Sequence, residues 1–263
     1  MKPGEAFEIG CYEFLKESYN KEGLTFHHEG GMDSTKSDIA VIKNGIIDYF
    51  IEAKDTNAQS GQFVVQPNEQ TKTFVFSPKN HSQPNEMTKI MINYMNQDFD
   101  RFNNAGTAGE SLDIDPTIFS NWIIEYYKSK NVKYVITYQN NYIILPIRKF
   151  AKYFQISAVY RIKKSGSGEP AKKDFSTVIN TIAKRYPDAE FSTKGKKLFT
   201  TIPSNITQDR FMLGNYTYYL SKQTLDLCEI RRLSNTYNMN IIFSIHLKCL
   251  QDPSDLIEFE SDL

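Results

Sequence analysis

Residues 37–54 leave the chain little choice of local structure: two runs of β-branched and aromatic residues flank Asn44-Gly45. Asn-Gly tolerates positive φ at both central positions, which makes it the strongest short signal for a two-residue hairpin. The runs on either side, Ser-Asp-Ile-Ala-Val-Ile at 37–42 and Ile-Ile-Asp-Tyr-Phe-Ile-Glu-Ala-Lys at 46–54, suit a pleated sheet. Strand alternation then puts Glu52 and Lys54 on one face and Tyr49 and Ile51 on the other. Asp38, on the adjoining strand, comes within reach of Glu52 and Lys54.

Elsewhere, helical periodicity predicts helices over 5–19 (Phe7, Cys11, Phe14 and Leu15 on one face, Glu8 at its edge), 86–102, 117–128 and 175–186. A polar loop is expected from Gly23 to Ser34, and a further loop over 103–116. Strands are expected at 62–66, 73–76, 132–138, 142–147 and 156–163, with a short helix near 148–154. Lys163 to Gly168 reads as a flexible linker. The β-rich stretches 189–202, 215–221, 227–233 and 240–248 follow. Helices alternating with short strands and hairpins predict an α+β fold with a mixed β-sheet flanked by helices and a β-rich region beyond it.

Composition narrows the function. At 263 residues and 24% charged residues, the chain can bury a substantial core and is not disordered. No apolar run approaches the ~20 residues of a membrane-spanning helix. The first residues, Met1-Lys2-Pro3-Gly4-Glu5, lack an apolar signal core, so a cytoplasmic protein is expected. Cys11, Cys228 and Cys249 have no paired spacing, which argues against a disulfide framework or a zinc cluster. Formal net charge is zero, but it is unevenly spread. Residues 128–197 hold 16 basic side chains against four acidic ones, and the first 60 hold six against eleven. A polyanion-binding protein whose catalytic half also holds cations needs such a polarity.

Two carboxylates and an ammonium on one sheet face cost desolvation unless something compensates. A Mg²⁺ ion does so, because it takes one or two carboxylates and keeps several waters. Asp38 and Glu52 are therefore the candidate metal ligands, with Glu8 as a further one. Lys54 is placed to orient or deprotonate an attacking water. Gln62, in Ser60-Gly61-Gln62-Phe63, is placed to support the site. The competing reading is an ordinary hairpin with an exposed Glu/Lys pair. Other residues get bland readings: Cys11, Trp122 and the Met87–Met95 face as packing, His27-His28 as a polar loop, and Lys194 to Lys197 as a turn.

The order helix with an acidic residue, strand with Asp38, hairpin, strand with Glu52-x-Lys54 resembles the PD-(D/E)xK nuclease superfamily, with Ser37 in place of the proline. The resemblance extends further. Ser37-Asp38, Ile51 to Lys54, Gly61 to Val64, Ser77 to Asn80, Trp122 to Lys130, Tyr160 to Ser167 and Leu233 to Thr236 are similar to the HhaI-like Type II restriction endonucleases, relatives of the HinP1I and MspI endonucleases. That resemblance implies a Mg²⁺-dependent enzyme that cuts double-stranded DNA at a short palindrome, with GCGC as the default. It also implies a monomer in the bacterial cytoplasm, paired functionally with a cognate cytosine DNA methyltransferase.

A catalytic domain over 1–115 and a basic DNA-recognition region over 116–263, divisible into two subdomains, are expected. Arg161, Lys163, Lys164, Ser165 and Ser167 are the candidate site readers, since Arg and Lys pair with guanine O6/N7. Lys128 and Lys130 are candidates for backbone contact. Two alternatives remain open: a structure-directed repair nuclease or nickase on the same scaffold, and a DNA-binding module whose acidic cluster is only structural.

Overall fold

The computed structural model describes residues 3–30, 37–164, 166–202 and 209–263. In chain order it begins with helix α1 (Pro3–Ser18) and strands β1 (Leu24–His28), β2 (Ile39–Lys43), β3 (Ile46–Ala53), β4 (Asn57–Asn68) and β5 (Thr73–Phe76). Helices α2 (Glu86–Gln97) and α3 (Phe99–Asn103) follow, then β6 (Glu110–Ser111), α4 (Pro116–Ser129), β7 (Val132–Gln139), β8 (Asn141–Pro146), α5 (Phe150–Tyr153) and β9 (Phe154–Lys164). Next come β10 (Ser167–Gly168), α6 (Phe175–Arg185), β11 (Glu190–Lys194), β12 (Lys197–Thr201), β13 (Arg210–Leu213), β14 (Tyr216–Lys222) and β15 (Leu227–Leu233). β16 (Tyr237–Leu247) and α7 (Pro253–Asp262) complete the chain. Among the described residues, no helix is long and apolar enough to cross a membrane.

The chain divides into two units, one of residues 1–161 with 239–263 and one of residues 162–238. The division expected near residue 115 instead falls inside the first unit, between β6 and α4. The reason is that β7 pairs in parallel with β3, so the strands after α4 complete the sheet begun before it.

In the first unit, β1-β2-β3-β7-β8 form a mixed sheet in which only β3 and β7 run parallel. Asn44 and Gly45 both take positive φ (51° and 81°), as a type I′ turn demands. One face of this sheet carries Ile39, Val41, Tyr49, Ile51 and Ala53, packed against Cys11 and Leu15 of α1 and Phe259 of α7. The expected helical seam and the expected inward face of the hairpin therefore meet. Cys11 is fully buried in this core, and burial, with Asp38 and Glu8 nearby, pushes its thiol up to about 12.

A second sheet in this unit has the order β5-β4-β16-β9-β6, with the β5–β4, β4–β16 and β9–β6 pairs antiparallel. Its inner face packs Phe63 and Phe243 on Trp122, whose Nε1 donates to Thr88 Oγ1 at 3.0 Å. Trp122 is thus a packing residue. Met91 and Met95 are buried as expected, but Ile90 is exposed, so the α2 seam is narrower than its apolar count suggests.

Two expectations change, and one helix appears where none was expected. The loop over 23–34 begins with strand β1, because Leu24 and Phe26 alternate into the core. The single helix over 86–102 is broken at Asp98 (φ −137°, ψ 59°). The acidic C-terminus forms α7, capped by Asp252, whose side chain accepts from Ser254 N.

The second unit is a sheet ordered β11-β12-β15-β14-β13, with β10 added to β15. It packs Leu198, Tyr218, Leu220 and Ile230 on Val178 and Ile182 of α6.

Candidate active site

The hairpin register brings the site together. Ile39 pairs with Ile51, so Asp38, one residue further out, stands beside Glu52 and Ala53. The Ala53 N–H donates to Asp38 Oδ2 at 2.9 Å, fixing the carboxylate from the backbone. Lys54 Nζ lies 2.7 Å from Glu52 Oε1 and 3.7 Å from Asp38 Oδ2, and donates to the Ala53 carbonyl at 3.2 Å. One ammonium therefore spans both carboxylates.

Asp38 and Glu52 are both buried, and their environment shows it. Burial raises the pKa of Asp38; Lys54 pulls it back and Glu8 adds to the rise. Glu52 is likewise raised by burial, against Lys54 and with Asp38. For Lys54, burial disfavours the charge, but Tyr127, Glu52 and Asp38 outweigh it and hold its pKa well above the ordinary lysine value. Buried Tyr127, on α4, is itself pushed up by burial and Glu52, with its hydroxyl 3.0 Å from Ser60 Oγ.

These residues lie in a cleft of about 610 Å³ in the first unit. Glu8, Asp38, Glu52, Lys54 and Gln62, all expected at the site, line it, together with Lys130, expected as a DNA-backbone contact. Sequence reading did not single out Gln59, Lys79, His81, Ser82, Tyr126 or Tyr127, which line it too. The string Ser77 to Asn80 was the only pointer toward Lys79. Glu8 Oε2 lies 3.4 Å from His28 Nε2, so His28 ends a strand against a site residue rather than occupying a polar loop. Gln62 Oε1 accepts from Asn240 Nδ2 on β16 at 3.0 Å. Gly61 takes a φ of +94°, and a β-carbon there would lie 2.8 Å from Trp122 Cζ3. It sits where the β4–β16 register shifts, so glycine allows the bulge beside Gln62.

Among the described residues, no three His, Cys, Asp or Glu side chains are grouped to hold a metal by themselves. The two-carboxylate pair still fits Mg²⁺, which is commonly bound through one or two carboxylates, water and substrate phosphate. Among the described residues, Glu52 Oε2 is buried with no hydrogen-bond partner, and a buried carboxylate oxygen left in that state costs free energy unless a cation or donor meets it.

The candidate DNA-contact residues are dispersed. Lys128 is exposed and ion-paired with Glu125 at 3.0 Å. Lys130 Nζ stands 4.6 Å from the centre of the Tyr126 ring, which stacks on Trp122. Arg161 ends the first segment of the first unit, and Lys163, one residue past the start of the second, has an exposed side chain. The Lys164 side chain and Ser165 lie outside the described residues. Ser167 is a β10 residue engaged within the second unit: its Oγ is 2.9 Å from Tyr219 OH, and its carbonyl accepts from Arg231 at 2.8 Å.

No family model and no curated protein matches the chain. A solved structure does: HhaI endonuclease in complex with DNA, 34% identical over 99% of this chain and 98% of that one, with a TM-score of 0.81. An α+β fold shared over its whole length at this identity defines a type II restriction endonuclease. The chain belongs to the HhaI endonuclease family.

Proposed function

We propose that this chain is a Mg²⁺-dependent, site-specific deoxyribonuclease that hydrolyses phosphodiester bonds of duplex DNA at a short palindrome, GCGC, using the PD-(D/E)xK pattern. The observation that carries the chemistry is the buried Asp38–Glu52 pair bridged by Lys54 Nζ, with Glu52 Oε2 buried and, among the described residues, without a hydrogen-bond partner. Family membership and the DNA held by HhaI endonuclease support the substrate.

Asp38 and Glu52 would hold the ion, with Glu8 assisting through water. Bound there, Mg²⁺ supplies a lowered pKa for water and neutralises phosphate charge. Lys54 Nζ already donates to Glu52 and to the Ala53 carbonyl, so it acts as an ammonium. Its part is to orient the attacking water and to stabilise charge developing on the phosphate. Gln62, tethered by Asn240, steadies the wall of the cleft. Lys128 and Lys130 contact the backbone, and the stretch from Arg161 to Ser167 reads the G·C pairs. The protein acts as a monomer in the bacterial cytoplasm, where a cognate cytosine methyltransferase protects the host site.

Digestion of a sequenced plasmid with Mg²⁺, followed by mapping of the ends, tests this reading. A single palindrome at every cut is expected. Scattered ends would point to a repair nuclease or nickase, and a plasmid intact at every Mg²⁺ concentration to a binding module.

A further inference from the structure

Between β5 and α2 the chain forms a loop whose shape is set by one side chain. Asn80 Nδ2 donates to the carbonyls of Val64 at 2.8 Å and Ser77 at 2.9 Å, and Asn80 Oδ1 accepts from Val64 N at 2.8 Å. The amide thus pairs with both backbone groups of a β4 residue, much as a neighbouring strand would. Ser77, fully buried, donates its N–H to the same Val64 carbonyl at 3.1 Å, and its Oγ accepts from Lys79 N at 3.3 Å. The loop is therefore fixed two residues along β4 from Gln62.

This anchoring brings Lys79, His81 and Ser82 to the cleft that holds Asp38, Glu52 and Lys54. Lys79 and His81 are exposed. Among the described residues, the Lys79 ammonium, the His81 ring and the Ser82 hydroxyl have no hydrogen-bond or ion-pair partner. They are donors held in place and left unused. The charge of the cleft gives them a task. Glu8, Asp38 and Glu52 line it, and Lys54 is already committed to two of these carboxylates. An approaching phosphodiester needs a cation outside that cluster, and Lys79 supplies one from an element distinct from the α4 end that carries Lys130.

We infer that Lys79, with Ser82 Oγ and the His81 ring as further donors, grips a backbone phosphate of the DNA strand next to the one that is cut. The inference rests on the proposed function and deepens it by naming a phosphate subsite. A lysine–phosphate contact of this kind positions the duplex without reading its sequence.

The test is equilibrium binding of a short duplex containing GCGC, followed by fluorescence anisotropy without divalent cation across a range of salt concentrations. Wild type, Lys79→Met and Lys79→Arg are compared, and a duplex lacking the site serves as the second ligand. Lys79→Met is expected to bind about tenfold more weakly at low salt, as for a lost charge-assisted hydrogen bond. Its slope of log affinity against log salt should be shallower by about 0.9, the value for one phosphate contact. The loss should be equal on both duplexes, and Lys79→Arg should restore affinity and slope. An unchanged slope overturns the inference, whether affinity is kept or lost, because a merely structural loop would leave the charge count intact. A wild-type protein that binds no duplex overturns the underlying function instead, so the two failures are told apart.

Discussion

Lys54 Nζ lies 2.7 Å from Glu52 Oε1, while Oε2 of the same carboxylate is buried and, among the described residues, without a hydrogen-bond partner. One oxygen is neutralised from within the hairpin; on the proposed function the other is the one that would meet the cation. Lys54→Ala removes the ammonium that bridges Asp38 and Glu52 and, on the proposed function, the donor for the reacting phosphate. Cleavage of supercoiled plasmid should fall by at least roughly 10²-fold, the lower range for loss of a transition-state donor. Duplex binding, read by anisotropy, should be largely retained.

Cation binding can be followed without any cleavage. If Asp38 and Glu52 hold Mg²⁺ in the native state alone, the ion stabilises the fold by mass action, by about 2.7 kcal/mol at 100 times its Kd. Thermal melts with Mg²⁺ and with chelator should differ for the wild type. The difference should vanish for Glu52→Gln, which keeps the shape of the side chain but not its charge.

Gly61 tests the wall of the cleft. Its φ of +94° and its approach to Trp122 leave no place for a methyl group. Gly61→Ala should cost about 1–3 kcal/mol, the range for a residue forced into a sparsely allowed conformation. Since the bulge sets the position of Gln62, activity should fall together with the melting temperature.

The C-terminal helix supplies a pH signature away from the site. Asp255 is fully buried. Burial alone would raise its pKa, but Lys149, the Tyr153 hydroxyl at 2.5 Å and Lys152 outweigh burial and lower it. A folded pKa below the unfolded one, about 3.9, stabilises the fold above that unfolded value, and the contribution is lost as pH falls through the folded value. Melting temperature should therefore drop at strongly acidic pH. Asp255→Asn should flatten that drop while costing about 3 kcal/mol at neutral pH, as for a broken buried pair.

How far the sequence foretold these features depends on the range of the interactions. The hairpin was legible because Asn44-Gly45 and the alternation of Tyr49, Ile51, Glu52 and Lys54 are local signals. The Asp38–Glu52–Lys54 cluster followed from the same register. Strand β1 was hidden by His27 and His28, whose polarity masks the inward Leu24 and Phe26. Helix α7 was hidden by its acidic composition, since Phe259 gains its burial in the core built by α1 and the first sheet. The loop carrying Lys79 owes its place to Asn80 bonding Val64, 16 residues away, which no local pattern reports. The resemblance to HhaI-like enzymes rested on longer strings, and the structural match covers nearly the whole chain.

The most direct trial of the proposed chemistry sets purified wild-type protein beside Asp38→Ala on the same plasmid across a Mg²⁺ titration, with duplex binding measured in parallel. Wild type should cut only when Mg²⁺ is present. Asp38→Ala should bind DNA but leave the plasmid intact. Cutting by Asp38→Ala at close to the wild-type rate would contradict the assignment of the hairpin carboxylates to catalysis.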